Sequence, residues 1–73
     1  LRSFVAVVDS GGFSAAAERL HRTQSAVSLQ IKRLEERLGV RLLDRGPRRV
    51  RPTLEGEMIL EQARRILALN EAL

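Results

Sequence analysis

Seventy-three residues with a net charge of +4, 44% apolar residues, only two aromatics and no cysteine describe one small aliphatic domain. This composition excludes a disulfide framework, a thiolate metal site and a cysteine nucleophile, and a single histidine leaves metal catalysis almost without ligands. No apolar run approaches the ~18 residues of a membrane span and no signal-peptide pattern is present, so no membrane association is expected and the cytoplasm is the expected compartment.

Leu1, Phe4, Val5 and Val8 recur at the spacing of one face of an amphipathic helix. Gly11-Gly12 is expected to end that helix, since glycine takes the left-handed conformation at a helix C-terminus without a Cβ clash. Ser14 is the expected N-cap of a second helix, with Phe13 before it as a hydrophobic staple. Ala15, Ala16 and Ala17 allow close approach to a neighbour, and Leu20 supplies a larger core contact. After a break at His21-Arg22, Thr23 is the expected N-cap of a third helix that runs to Leu38 and stops at Gly39. Between Val40 and Thr53 the pattern changes to short apolar flanks around a Gly-Pro turn, which predicts a small β-hairpin or wing. Thr53 is then placed to cap a fourth helix over 54–73, with Glu55 and Glu57 in the first turn where the helix dipole favours them. Its apolar residues Ile59, Ala63, Ile66, Leu69 and Leu73, with Leu60 and Leu67 on a second strip, predict packing partly on the domain and partly on a twin helix from another chain. A domain this small lies near the lower limit for folding on one core, so partner contacts are expected to add stability. The missing initial methionine and the end within a helical pattern predict an excerpt of a longer chain.

Charge is distributed unevenly along this framework. Residues 19–51 hold ten basic side chains against three acidic ones, a net of +7, whereas the remaining residues hold three basic and six acidic. A basic middle flanked by acidic ends is the footprint of a polyanion-binding face. On the third helix Val27, Ile31, Leu34 and Leu38 share an arc that predicts the core side. Ser25, Ser28, Leu29 and Lys32 repeat at i, i+3, i+4 and i+7 on the other side, with Gln24 at the N-terminal end. Small side chains let a helix backbone approach base edges in a major groove. There glutamine can bond adenine, serine can donate or accept, and an exposed leucine can meet a thymine methyl. The wing carries Arg45, Arg48, Arg49 and Arg51. The last three crowd one another without a counter-anion and point to phosphate or minor-groove contacts. Arg45 has Asp44 and nearby carboxylates as alternative holders. His21 reads as a cap of the second helix or a phosphate contact. Glu35 and Glu36 read as ordinary helix-surface charges, with Lys32–Glu36 one candidate pair. No nucleophile–base set, carboxylate pair or phosphate-binding glycine loop can be assembled, so catalysis is not expected. Two other readings of the basic face stay open at this point: a helical module docking on an acidic protein, and a winged helix binding DNA or RNA without sequence preference.

The stretches LRSFVAVVDSGGFSAAAERL and TQSAVSLQIKRLEERLGVRLLDR, with the threonine and glycine of RPTLEG, resemble the N-terminal DNA-binding domain of LysR-type transcriptional regulators over essentially all 73 residues. The resemblance implies a mainly α fold: a winged helix-turn-helix of three helices and a small β-hairpin over 1–53, followed by a long dimerising linker helix over 54–73. Within it, 13–32 would be the helix-turn-helix, 24–38 the recognition helix and 41–53 the wing. Gln24, Ser25, Ser28 and Leu29 match base-reading positions of the family. Ser14, Thr23 and Lys32 match positions near the DNA backbone, and Arg48, after Gly46-Pro47, falls in the wing. Ser25 stands where the family often has proline, Leu29 where a polar or basic side chain is common, Leu43 where phenylalanine is, Pro52 where leucine is and Glu55 where alanine is. The implied partners are double-stranded DNA carrying an imperfect palindrome and a second copy of the chain, with a tetramer as the alternative for a full-length regulator. No cofactor is implied for this domain. A small-molecule inducer belongs to an effector domain absent from these residues.

Overall fold

A computed structural model of the protein describes residues 1–46 and 49–72, Ala72 by its backbone alone. The order is α1 (Arg2–Ser10), α2 (Phe13–Leu20), α3 (Gln24–Leu38), β1 (Leu43–Arg45), β2 (Val50–Pro52) and α4 (Leu54–Ala72). The first three helices pack on one another, and the hairpin and α4 close over α1. Phe4, Val7, Ala16, Ala17, Val27, Ile31, Leu42 and Leu43 form the buried centre. The expected face of α1 is rotated in the structure. Val7 is fully buried, Val5 and Val8 are half-buried and Leu1 is exposed, because α1 touches α2, α3, α4 and β2 and is enclosed on several sides. On α3 the expected core stripe holds for Val27 and Ile31, weakens at Leu34, and fails at Leu38, which is 45% exposed where the helix outruns the core.

Helix ends follow local chemistry. Gly11 closes α1 at φ 79°, the left-handed conformation expected of it. α2 begins two residues earlier than its serine predicts: Gly12 occupies the N-cap and Ser14 lies inside the first turn, exposed and making no capping bond. Phe13 is therefore the first residue of that helix and no staple outside it. His21 ends α2 through its backbone, at φ 55°, with Arg22 N–H donating to Ala17 C=O at 2.9 Å. Thr23 caps α3 as expected, its Oγ1 accepting from Ala26 N–H at 3.1 Å.

The hairpin is antiparallel, with Leu43 opposite Pro52, Asp44 opposite Arg51 and Arg45 opposite Val50. Its attachment to the helices depends on two polar clamps. Glu35 Oε2 accepts from the Leu42 and Leu43 backbone N–H groups at 2.7 and 3.3 Å, tying the start of the wing to α3. Glu35 is thus a half-buried structural carboxylate and no ordinary surface charge. Lys32–Glu36 is not among the ion pairs formed by the described residues. At the other end the Thr53 hydroxyl donates to Arg41 C=O at 2.6 Å and accepts from Gly56 N–H at 2.9 Å, capping α4 as its position predicts. Glu35→Ala should leave two partly buried N–H groups unpaired, at about 1–3 kcal/mol each for a fully buried group and less here. The expected result is a clearly lowered melting temperature, with Glu35→Gln, which retains one carbonyl acceptor, falling in between. A Glu35→Ala protein that melts like the parent would remove this clamp from the account.

A further tie joins the first helix to the last. Arg64 donates to both Asp9 carboxylate oxygens at 2.6 and 3.3 Å. The hydrogen bonds from Arg64 hold the Asp9 carboxyl below the usual carboxylate range against an opposing effect of desolvation, with help from the Arg64 and Arg19 charges.

Candidate nucleic-acid interface

Gln24, Ser25, Ser28, Leu29 and Lys32 line one open depression on α3, on the side turned away from Val27 and Ile31. The capping bond from Thr23 fixes where the helix starts, so Gln24 and Ser25 stand in its first turn, beside the positive end of the dipole. Leu29 is 46% exposed on this polar face. An exposed leucine amid serines, glutamine and lysine adds nothing to the core, and it offers a methyl-sized apolar contact to whatever meets the face. Thr23 is exposed beside the depression, and Ser14 is exposed on the first turn of α2.

The wing residues divide. Arg49 and Arg51 are exposed, and Arg51 has Asp44 directly across the ladder, a cross-strand carboxylate on its own face. Among the described residues neither Arg49 nor Arg51 forms an ion pair. Arg45 is held from an unexpected direction: its guanidinium carbon lies 4.8 Å from the centroid of the Phe13 ring. Asp44 is instead 3.9 Å from Arg41, with both side chains largely exposed. The stack on Phe13 links β1 to the first residue of α2, so Arg45 helps set the wing against the helix pair. Sequence spacing gives no hint of it, since a cation over a ring 32 positions away depends on tertiary packing. Arg48 lies outside the described residues.

The residues expected at a dimer seam also divide. Ala63 is 1% exposed and Ile59 is half-buried against the core. Both are turned to their own domain, together with Leu60 and the buried Gly56, which corrects their placement on a seam between chains. Ile66 and Leu69 are 53% and 68% exposed, and so are Leu54 and Met58 at 72% and 65%. At about 100° per residue Leu54, Met58 and Leu69 fall within an arc of about 60°, with Ile66 to one side, opposite the face that meets the domain. Leu73 lies outside the described residues. Among the described residues no group of histidine or acidic side chains could hold a metal ion, and no helix is long and apolar enough to cross a membrane.

The family model described as "Bacterial regulatory helix-turn-helix protein, lysR family" matches residues 1–57, from α1 through the wing to the start of α4. The chain belongs to that family. Within it, the SDS degradation transcriptional activation protein of Pseudomonas sp. (strain ATCC 19151) is 51% identical over all 73 residues, which make up 24% of that regulator. This chain therefore spans about a quarter of the length of that relative. Among solved structures, the BenM DBD in complex with catB site 1 DNA superposes with a TM-score of 0.94 at 42% identity, covering 97% of this chain and 79% of that one. The CbnR DBD–DNA complex gives 0.91 at 44% identity, covering 97% and 82%. The winged helix-turn-helix followed by a long helix is thus the fold of LysR DNA-binding domains.

Proposed function

We propose that this chain is a sequence-specific double-stranded DNA-binding domain of a bacterial transcriptional regulator, acting in the cytoplasm without catalysis or a cofactor of its own. The observation that carries the reading is the single depression lined by Gln24, Ser25, Ser28, Leu29 and Lys32 on a helix whose start is fixed by Thr23. Its side chains offer amide, hydroxyl, methyl and ammonium groups on one small-residue surface, the set a major groove can use. α3 would lie in the groove with Gln24, Ser25, Ser28 and Leu29 at base edges. Thr23, Ser14, Lys32, Arg49 and Arg51 would stand toward phosphates, and Arg45 would steady the wing. Two copies joined through the exposed stripe of α4 would set their reading helices about 34 Å apart, matching an imperfect palindrome. A small-molecule inducer, and any assembly beyond the dimer, would depend on protein outside these residues.

Lys32 tests the division between backbone and base contacts. Lys32→Ala should weaken all duplexes alike and reduce the slope of log affinity against log salt by about 1. A slope identical to that of the parent would take Lys32 off the phosphate.

A further inference from the structure

A second basic surface lies away from the reading face. Arg2, Arg22, Arg33 and Arg37 surround a cleft of about 620 Å³ between the start of α1 and the far side of α3. No acidic side chain lines it. Among the described residues, none of these four arginines takes part in an ion pair. The first turn of α1, which borders the cleft, also carries no acidic residue to offset its dipole. Between the arginines the wall is part apolar, through the half-buried Leu20 and Leu34. It is also polar at one point, where the Ser3 hydroxyl donates to the Gln30 side-chain carbonyl and ties α1 to α3.

Position separates this cleft from the proposed DNA face. At about 100° per residue, Arg33 and Arg37 lie roughly 130° around α3 from the mean direction of Gln24, Ser25, Ser28, Leu29 and Lys32. A duplex seated on the reading side would leave the α1–α3 cleft open. Four unneutralised guanidinium groups around a partly apolar hollow match a polypeptide that alternates carboxylates with an apolar side chain. Arginine forks bond carboxylates bidentately, and the leucines cover the aliphatic part of an inserted residue. We infer that the α1–α3 cleft is a docking site for an acidic, leucine-bearing segment of a partner protein, usable while the opposite face of α3 holds DNA.

The test uses a short fluorescein-labelled peptide of glutamate with interspersed leucine, titrated by anisotropy at about 0.15 M salt, where charges beyond ~8 Å are screened. It is run with and without a saturating random duplex. Binding should persist when the duplex is present. The double variant Arg33→Glu/Arg37→Glu should weaken the peptide at least about tenfold while changing duplex affinity less than about threefold. Arg33→Lys/Arg37→Lys, which keeps the charge, should retain most of the binding, and a far-UV melt of each variant checks that it folds. Displacement of the peptide by the duplex would overturn the proposal. So would equal loss of duplex and peptide in the charge-reversed protein, which would make these arginines DNA-phosphate contacts, or peptide binding that is undetectable or indifferent to the reversal. The peptide arm without duplex is read independently of whether the chain recognises a DNA sequence.

Discussion

Gly56→Ala should lower the melting temperature by more than about 10 °C. At an ordinary helical position the same change stabilises by roughly 0.5–1 kcal/mol, because alanine loses less backbone entropy on folding. Here the sign reverses. Gly56 is buried in the first turn of α4, and a Cβ on it would stand 2.1 Å from the Leu42 carbonyl oxygen and 3.0 Å from the carbonyl carbon. That carbonyl cannot retreat freely, since it accepts from Thr53 N–H at 2.9 Å and its residue is held from the other side by Glu35. Thr53 Oγ1, 3.2 Å from the same Cβ, is bonded to Arg41 C=O as well. Relief therefore requires α4 to lift off the wing, at about 3 kcal/mol or more. A domain of this size has a total stability of roughly 4–11 kcal/mol and loses about 4–8 °C per kcal/mol. Thermal unfolding followed by far-UV circular dichroism measures this, and a variant as stable as the parent would show that the close approach of Leu42 and α4 is not a fixed feature of the fold.

The double replacement Ile66→Glu/Leu69→Glu should have the opposite character, leaving the fold intact and separating two chains. Both side chains project from α4 on the side that the domain leaves uncovered, so each protomer should melt as a folded unit. Burying such side chains between two helices is worth roughly 1.5–3 kcal/mol each, and four carboxylates facing one another across the seam would add repulsion. Sedimentation should show monomers, and affinity for a two-half-site duplex should fall by about 100-fold or more as the effective concentration of the second reader disappears. A variant that still sediments as a dimer would place the contact elsewhere. Ala63→Glu serves as a contrast: that residue is enclosed by its own domain, and its replacement should unfold the protomer before it separates the pair.

What could be read from the chain depended on how local the governing interaction is. Helix order, the stop at Gly11, the Thr23 and Thr53 caps and the grouping of Gln24, Ser25, Ser28, Leu29 and Lys32 on one face all follow from periodicity and capping chemistry within a turn or two. Most of the failures share a cause in tertiary contact. Glu35 has the spacing of a surface charge, and only the return of the chain at Leu42 and Leu43 gives it two backbone donors. Arg45 has a neighbouring aspartate in sequence but meets an aromatic ring across the fold. The fourth helix carries apolar residues on two strips, and periodicity cannot say which strip its own domain will claim. The structure assigns Ile59, Leu60 and Ala63 inward and leaves Ile66 and Leu69 outward. Ser14 is a local exception: the extended Gly12 takes the capping position and begins the helix two residues sooner.

The proposed role of α3 is to read base sequence through Gln24 and its neighbours. Repeated selection of bound duplexes from a random pool, performed with the parent chain and with Gln24→Ala, tests it most directly. The expected result is enrichment of a motif with inverted half-sites about one helical turn apart, and relaxed preference at one base pair of each half-site in the variant, worth roughly 1–3 kcal/mol. Recovery of random sequence by the parent, or the same motif from both proteins at undiminished stringency, would contradict it.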